Sequence, residues 1–260
     1  MKILLNGYSG FMGAEVVKLC RAGYRGAELL AGVDPKGGSG EDTVYSSVSE
    51  IPLGQSIDCI VDFSHHSAVG QLLEFATERA IPTVVATTGH TDGEKELISA
   101  AAERIPVFHS ANMSLGIALL VELAKTAAMA MPEAEIEIVE KHHNRKIDAP
   151  SGTALLLANE ICSVREQAYT KCGRAGQGKR APEEIGIHAI RMGNIVGEHE
   201  VIVGTQNQTV TLKHEAHSRA LFAEGALAAA AFLVNCAPGL YDMKSLIEKD
   251  GTRQDNTIGV

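Results

Sequence analysis

Residues that can transfer protons and bind anions are concentrated in one stretch, VEKHHNRKIDAPSGTAL, which runs from Val139 to Leu155. Two adjacent histidines, His142 and His143, are followed closely by Lys146. A histidine can donate a proton near neutral pH because its reference pKa is about 6.5. A lysine cation suits a substrate carboxylate or a second acid role. The stretch therefore predicts proton transfer to an anionic substrate.

The two histidines are not equivalent, because the alternation of apolar and polar residues predicts a strand over Glu135–His142. Side chains alternate between the two faces of a strand, so four of them share one face: Ile136, Ile138, Glu140 and His142. Lys141 and His143 then point the other way. One of the two histidines should then reach the reacting centre while the other positions, unless the strand has already ended before His143. Adjacent histidines on a strand cannot easily chelate one ion, so no metal site is expected.

A helix start follows in APSGTALLLANEI, where Ser151 can cap the helix. The residue three positions later is Ala154, so the reciprocal Glu or Gln of a capping box is absent. Backbone N–H groups near Gly152 and Thr153 can then bind an outside carboxylate. The alternative is a purely structural cap beside a solvated basic strand end.

A second candidate site lies at the start, in LLNGYSGFMGAEVVKL, with glycines at Gly7, Gly10 and Gly13. The stretch reads as strand, glycine turn and helix, which is typical of a dinucleotide pyrophosphate site. Asp34 lies at the end of the next strand, where an acid binds the ribose hydroxyls. Lys36 can approach a 2′-phosphate and partly offsets that acid. NADH is the expected cofactor, with NADPH as the alternative. If no dinucleotide binds, the glycines form an ordinary tight turn and Asp34 is an ordinary loop residue.

Two further loops follow predicted strands of the same half, ATTGHT at 86–91 and HSANMS at 109–114. Ligands of parallel sheets bind at the carboxyl ends of the strands, so both loops are candidates for nicotinamide contacts. The candidate residues in these loops are Thr87, Thr88, Gly89, Ala111, Asn112 and Met113. The pair His65–His66 also follows a strand. It either lies near the cofactor or simply begins a helix, and we favour the helix start.

The elements that must position these residues change character near residue 110. Before it, apolar runs alternate with helical patterns at about 11–22, 67–80 and 92–104, which predicts a parallel sheet with helices on both faces. The predicted strands are Lys2–Leu5, Glu28–Val33, Asp58–Phe63, Thr83–Thr87 and Val107–His109. After it come a helix at Leu115–Ala130, a strand, a helix, and strand-like runs at about 186–192, 198–204 and 208–216. Short links join these runs, which indicates a mixed or antiparallel second sheet.

Composition excludes several classes of protein. The chain has 260 residues, a formal charge of −9 and 4% aromatic residues with no Trp, so a nucleic-acid partner is not expected. The longest apolar run, Gly225–Val234, is shorter than the roughly 20 residues of a membrane span. The apolar run after Met1 is too short for a signal peptide. Five cysteines without C-x-x-C spacing favour free thiols and a cytoplasmic location.

The stretch EIVEKHHNRKIDAPSGTA, from Glu137 to Ala154, fits every specified position of the pattern E-[IV]-x-E-x-H-x-x-x-K-x-D-x-P-S-G-T-A. On these residues the chain resembles the 4-hydroxy-tetrahydrodipicolinate reductases, also called dihydrodipicolinate reductases, of bacterial lysine biosynthesis. The resemblance extends over nearly the whole chain, through NGYSGFMG, ATTGHT, SANMSLG, IGIHAIRMGNIVGEHEV and HSRALFAEGA. It implies an α/β fold with a Rossmann-like parallel-sheet cofactor domain, residues 1–113 and 219–260. Residues 114–218 would form an inserted α+β substrate-binding and tetramerisation domain with a mixed sheet.

The resemblance also implies a reaction, in which NAD(P)H reduces a cyclic dicarboxylate imine with loss of water. His142 looks like the proton donor and Lys146 like its partner. The positions that resemble substrate contacts are His143, Gly152, Thr153 and Arg219. The positions that resemble cofactor contacts are Gly7, Phe11, Met12, Asp34, Thr88, Gly89, Asn112 and Met113. Many members carry an arginine where this chain has Phe11, which again favours NADH.

Two other functions remain open at this point. One is a related NAD(P)-dependent imine reductase or amino-acid dehydrogenase, which would share the cofactor half but lack the full cluster from His142 to Thr153. The other is a non-catalytic dinucleotide-binding protein, which would need the glycine turn and Asp34 but no proton donor. The intact cluster favours the reductase, with a small dicarboxylate as substrate and a homotetramer as the assembly.

Overall fold

The computed structural model describes residues 1–38 and 40–252. Strands are numbered in chain order: β1 Lys2–Asn6, β2 Glu28–Val33, β3 Val44–Tyr45, β4 Cys59–Asp62, β5 Thr83–Val85, β6 Pro106–His109, β7 Glu135–His142, β8 Tyr169–Cys172, β9 Glu184–Arg191, β10 Gly197–Gly204, β11 Thr209–Ala216 and β12 Gly239–Tyr241. The α-helices are α1 Phe11–Arg21, α2 Val69–Glu78, α3 Asp92–Ala102, α4 Leu115–Ala130, α5 Gly152–Ser163, α6 Ala220–Leu233 and α7 Met243–Thr252. Short 3₁₀ helices lie at Tyr24–Gly26, Val48–Glu50 and His66–Ala68.

The first sheet is a seven-stranded parallel sheet in the order β12-β6-β5-β4-β1-β2-β3. The order reverses between β1 and β4, since the chain builds outward from β1 on one side and from β4 on the other. Ligands of open parallel sheets bind outside the carboxyl ends of the strands at such a switch point. The glycine turn directly follows β1, so it lies at this position.

Helices cover both faces of the parallel sheet. The helices α2 and α3 pack on one face, where Ile60, Leu72 and Ile98 belong to one buried cluster. The helix α6 packs on α1 and against β4, β5 and β6. Eight of its residues are buried, because alanine and leucine fill most of the sequence ALFAEGALAAAAFL. The predicted α/β class with helices on both faces of a parallel sheet is confirmed.

The chain divides into two compact units. One unit contains Met1–Leu115 and the segment from Arg219 onward, and the other contains Gly116–Ser218. The returning segment supplies α6 and also β12, which pairs with the edge strand β6. The assignment of cofactor to the first unit and substrate to the second stays a proposal.

The second unit is built on a five-stranded sheet in the order β11-β10-β7-β9-β8. The strands β7, β8 and β9 are mutually parallel where they pair, whereas β10 runs antiparallel to β7 and β11. This confirms a mixed sheet. The strands β9 and β10 are joined by a short link but do not pair, because β7 lies between them. That link therefore passes the carboxyl end of β7, where His142 lies.

One face of this mixed sheet forms a core with α4 and α5. Ile136, Ile138, Ile187 and Val201 from the strands are buried in one cluster with Leu157 of α5. The alternation predicted for β7 is confirmed, since Ile136, Ile138, Glu140 and His142 are its buried positions. The face of the sheet away from α4 and α5 stays partly exposed.

Three strands were not predicted. The strands β3 and β12 have two and three residues, and β8 is exposed at all four positions. None of the three has an alternation of apolar and polar residues long enough to predict a strand. Across residues 1–38 and 40–252, no helix combines the length and the apolar character required to cross a bilayer.

Candidate active site

The register of three strands brings four polar side chains together at the end of β7. His142 pairs with Arg191 of the parallel strand β9, and Glu140 pairs with His199 of the antiparallel strand β10. Paired residues on neighbouring strands point to the same face of a sheet. The helix α5 begins on that face with Ser151 as its N-cap.

Glu140 is the centre of this group and is completely buried. Arg191 donates two hydrogen bonds to its carboxylate, each 2.7 Å long. The backbone N–H of Ser151 donates a third bond of 2.9 Å, and Nδ1 of His142 lies 2.6 Å from Oε2. Burial acts to raise the pKa of Glu140, but these bonds outweigh it and the pKa is lowered.

His142 is almost fully buried, and burial lowers the pKa of its imidazole. The bond and charge of Glu140 act in the opposite direction. Its Nε2 faces the backbone of β10, where a Cβ at Gly197 would come within 3.1 Å of it. The absence of a side chain at Gly197 keeps space beside this nitrogen.

The start of α5 is joined to the same group through Ser151. Its hydroxyl accepts a 3.2 Å bond from the N–H of Ala154 and lies 3.0 Å from Nε2 of His199. Burial lowers the pKa of His199 to about 3, so this imidazole is neutral at physiological pH. Gly152 is exposed, and a Cβ there would have no heavy atom of the described residues within 4 Å. Thr153 lies in the first turn of α5.

Lys146 lies in the turn after β7, where its N–H donates to the carbonyl of His143. Its ammonium forms a 2.9 Å ion pair with Asp148, and both side chains are accessible to solvent. The hydrogen bond from Lys146 holds the pKa of Asp148 below its usual value. Because this ion pair is accessible to solvent, breaking it costs little free energy. The ammonium of Lys146 can therefore leave Asp148 and bind another carboxylate.

The glycine turn of the first unit is closely packed at two positions. Gly7 has a φ of +86°, and a Cβ there would lie 2.5 Å from the carbonyl oxygen of Phe63. A Cβ at Gly13 would collide with the carbonyls of Gly7 and Tyr8. Gly10 is the N-cap of α1 and contributes no side-chain cap. The helix N-terminus therefore lies close to a tight turn, which suits the approach of a pyrophosphate.

Asp34 follows β2 and joins the turn to the next loop. Its carboxylate accepts bonds of 3.0 Å from the N–H of Ser9 and 2.9 Å from the N–H of Lys36. The side chain of Lys36 is exposed. A buried carboxylate at this point repels a phosphate but can still bind ribose hydroxyls through its remaining lone pairs.

Two cavities of the first unit, of about 440 and 450 Å³, are lined by predicted cofactor residues. The first includes among its lining residues Gly7, Gly10, Asp34 and Lys36. The second includes Met12, Thr87, Thr88, Ala111, Asn112 and Met113. Both are lined by Phe63, Ser64 and His65, so the predicted cofactor residues of separate loops meet around adjoining spaces. Three predicted cofactor residues, Phe11, Gly13 and Gly89, are not among the lining residues of either cavity.

The pair His65–His66 does begin a helix, since His65 caps the 3₁₀ helix at His66–Ala68. His65 also lines both cavities, and His66 bonds to Glu94 at 2.9 Å. Arg219, a predicted substrate contact, belongs to the first unit, where its guanidinium lies 5.5 Å from the ring centroid of Phe11.

Three members of the buried group were not predicted as site residues: Glu140, Arg191 and His199. Strand alternation had already put Glu140 on the face of His142, so its role could have been inferred. The other two depend on strand register, which one sequence does not reveal. Within the described residues, no group of three or more His, Cys, Asp or Glu side chains could hold a metal ion.

Comparison with protein families gives matches to both halves of the chain. A model described as dihydrodipicolinate reductase, N-terminus, matches residues 1–113, and one described as dihydrodipicolinate reductase, C-terminus, matches residues 116–247. The 4-hydroxy-tetrahydrodipicolinate reductase of Caldanaerobacter subterraneus subsp. tengcongensis is 45% identical, covering 96% of this chain and 99% of that protein. The enzyme of the same name from Clostridium novyi is 42% identical, covering 95% and 98%.

A solved structure is similar in fold. Dipicolinate-bound dihydrodipicolinate reductase from Paenisporosarcina sp. TG-14 superposes with a TM-score of 0.79 at 24% identity. The match covers 93% of this chain and 97% of that one. At this identity the similarity supports the arrangement of strands and helices alone.

Proposed function

The chain belongs to the dihydrodipicolinate reductase family, and on that basis we propose that it reduces 4-hydroxy-tetrahydrodipicolinate to tetrahydrodipicolinate in the diaminopimelate route to lysine. As a member of this family it is an NAD(P)H-dependent oxidoreductase. The observation that carries the proposal is the group around Glu140, in which one carboxylate binds both the imidazole of His142 and the start of α5.

The glycine turn fits a dinucleotide, because Gly7 and Gly13 leave no room for side chains where backbone and ligand must approach each other. When bound, the reduced nicotinamide supplies the hydride. The residues that would hold the cofactor are Gly7, Gly10, Phe11, Met12, Gly13, Asp34, Lys36, Thr87, Thr88, Gly89, Ala111, Asn112 and Met113.

The proposed reaction needs one proton, since the hydroxyl group of the substrate leaves as water while a hydride is added. His142 supplies it from Nε2, because its other nitrogen is bonded to Glu140. The substrate carries two carboxylates, for which the chain offers the ammonium of Lys146, the side chain of His143 and the start of α5 at Ser151–Thr153. Arg219 is a further candidate contact.

The function is tested by an assay with purified protein. Pyruvate and aspartate semialdehyde are condensed enzymatically to form the substrate, and NADH and NADPH oxidation are followed separately. We expect oxidation that depends on the condensation product. Oxidation that instead requires a different imine or amino acid, or none at all, would contradict the proposal.

We also propose that NADH is the preferred cofactor, because Asp34 lies buried beside the first cavity and would repel a 2′-phosphate. Asp34→Asn keeps an oxygen acceptor and removes the charge, so kcat/KM for NADPH should rise relative to NADH by about tenfold. Asp42→Asn is the control. It removes the same charge, but from a carboxylate that bonds Tyr8 and Arg21, so the ratio of kcat/KM for the two cofactors should not change. A ratio that stays unchanged in Asp34→Asn would remove Asp34 from this role.

The partly exposed face of the mixed sheet supports a homotetramer, the assembly implied by the family. It carries a network of ion pairs in which Lys141 and Lys213 bind Glu198 and Glu200, together with apolar residues such as Ile202. Native mass spectrometry should find the mass of four chains. The cysteine pattern further supports a cytoplasmic location, which fractionation of the source cells would check.

A further inference from the structure

Glu140 has no exposed surface, yet it is a charged side chain at the end of a strand. Burying a carboxylate is costly unless it is fully bonded to donors or cations. Its four contacts satisfy that condition: two from Arg191, one from the N–H of Ser151 and one with His142. Three of them come from outside β7, so the carboxylate is held in one orientation.

This arrangement determines which nitrogen of His142 carries a proton in the neutral imidazole. An ionised carboxylate can only accept hydrogen bonds, so Nδ1 at 2.6 Å must donate to it. The lone pair of the neutral ring is then on Nε2, beside the space left by Gly197. Proton exchange with a ligand is confined to Nε2.

We infer that Glu140 is a positioning residue of the reduction, which orients His142 with Nε2 as its proton-donating atom and fixes the start of α5 in the same network. The inference rests on the proposed function. Glu140 makes no contact with substrate in this role and acts only through His142 and Ser151.

The charged and titratable groups around His142 come from several elements. Glu140 of β7 favours the imidazolium form of His142. Arg191 of β9 and Lys146, in the turn after β7, oppose it. His199 of β10 lies with its ring centroid 5.2 Å from that of His142, and His214 of β11 faces His199. Glu140 is the carboxylate bonded directly to the imidazole of His142, whereas Asp148 is paired with the ammonium of Lys146.

The experiment is the pH dependence of kcat in Glu140→Gln. Without the carboxylate the imidazolium is less stable, so the pH above which kcat falls should move down by about one unit. General acid catalysis contributes on the order of 10²–10⁴, and we expect kcat at neutral pH to fall by about 10- to 100-fold, with KM changed only a few-fold. Glu140→Asp, which keeps the charge, should restore part of the loss.

Glu137→Gln is the matched control. Glu137 lies on the opposite face of β7, where its carboxylate binds Arg180 and His188 at 3.0 and 2.9 Å. The control loses the same charge from the same strand, so its pH profile should stay that of the wild type. A Glu140→Gln profile that matches the control and the wild type would overturn the inference.

Two further measurements keep the result decisive. Removing one partner of a buried ion pair leaves the other uncompensated, so the double variant Glu140→Gln, Arg191→Met, which removes both charges, replaces Glu140→Gln if that variant does not fold. Its kcat profile should also move down, but by less, because the charge of Arg191 opposes the imidazolium of His142. ¹⁵N NMR of labelled histidines, with His142→Gln to assign the signal, should find Nδ1 protonated in the wild type without substrate.

Wild-type protein inactive in the reductase assay would count against the proposed function, whereas Nδ1 unprotonated in active protein would count against this inference alone.

Discussion

At the scale of single residues, His142 is almost fully buried and its Nδ1 is bonded to Glu140. His142→Asn removes the proposed proton donor, so kcat should fall by about 10²–10⁴-fold. The dissociation constant for NADH, measured by fluorescence titration, should stay within a few-fold of the wild type, because the glycine turn and Asp34 belong to the other unit. Equal turnover in the variant would show that His142 is not the donor.

His199 links the site to the pH dependence of stability. Its pKa of about 3 in the folded protein lies below the value near 6.5 of an unfolded histidine, so the unfolded state binds more protons in acid. Stability that is present above pH 6.5 is therefore lost as the pH falls towards 3. Between pH 6.5 and 5 this one group should lower the free energy of unfolding by about 2 kcal/mol.

The measurement is urea unfolding at pH 7 and pH 5 in the wild type and in His199→Gln. The variant has no titratable ring at this position but keeps polar groups that can bond Ser151. Its loss of stability between the two pH values should be smaller than that of the wild type. An equal loss in both proteins would mean that the imidazole is already solvated in the folded state.

At the scale of elements, the glycine turn holds α1 close to β1 through Gly13. Gly13→Ala places a methyl group against the carbonyls of Gly7 and Tyr8, so the turn must shift. Overpacking of this kind costs about 1–3 kcal/mol of stability, and KM for NADH should rise by at least about tenfold in the displaced turn.

Gly93→Ala is the control for that change. Gly93 lies in α3, where an added Cβ would have no heavy atom of the described residues within 4 Å. Alanine has the higher helix propensity, so the control should be as stable as the wild type or more stable, with its cofactor KM unchanged. A Gly13→Ala protein that behaves like this control would show that the turn tolerates a side chain.

Strong periodic elements could be predicted from the sequence, and the contacts between them could not. The strand β7 was assigned with its correct buried face because Ile136 and Ile138 alternate with Glu135 and Glu137 at its start. The same pattern could not reveal that β7 separates β9 from β10, although those strands are neighbours in the chain. Arg191 and His199 were missed for that reason, since they reach Glu140 only through this strand order.

At the scale of the whole molecule, the proposed tetramer places the sheet face that carries Ile202 in an interface. Ile202→Glu adds a carboxylate close to Glu137 and Glu200, so association should weaken through like charges and lost apolar contact. Native mass spectrometry should then find smaller species, with the circular dichroism spectrum unchanged. Leu53→Glu, at a 90% exposed position of the first unit, is the control and should remain tetrameric.

The path of the chain through its two units has a consequence for synthesis on the ribosome. The first unit is interrupted after Leu115, and it regains α6 and β12 only from the segment after Arg219. During translation, which proceeds from the N-terminus, the nascent parallel sheet keeps the surface that α6 will cover exposed until that segment emerges. The uninterrupted unit Gly116–Ser218 can complete its sheet earlier. We therefore expect the glycine turn after β1, although synthesised first, to be among the last parts to gain its final support.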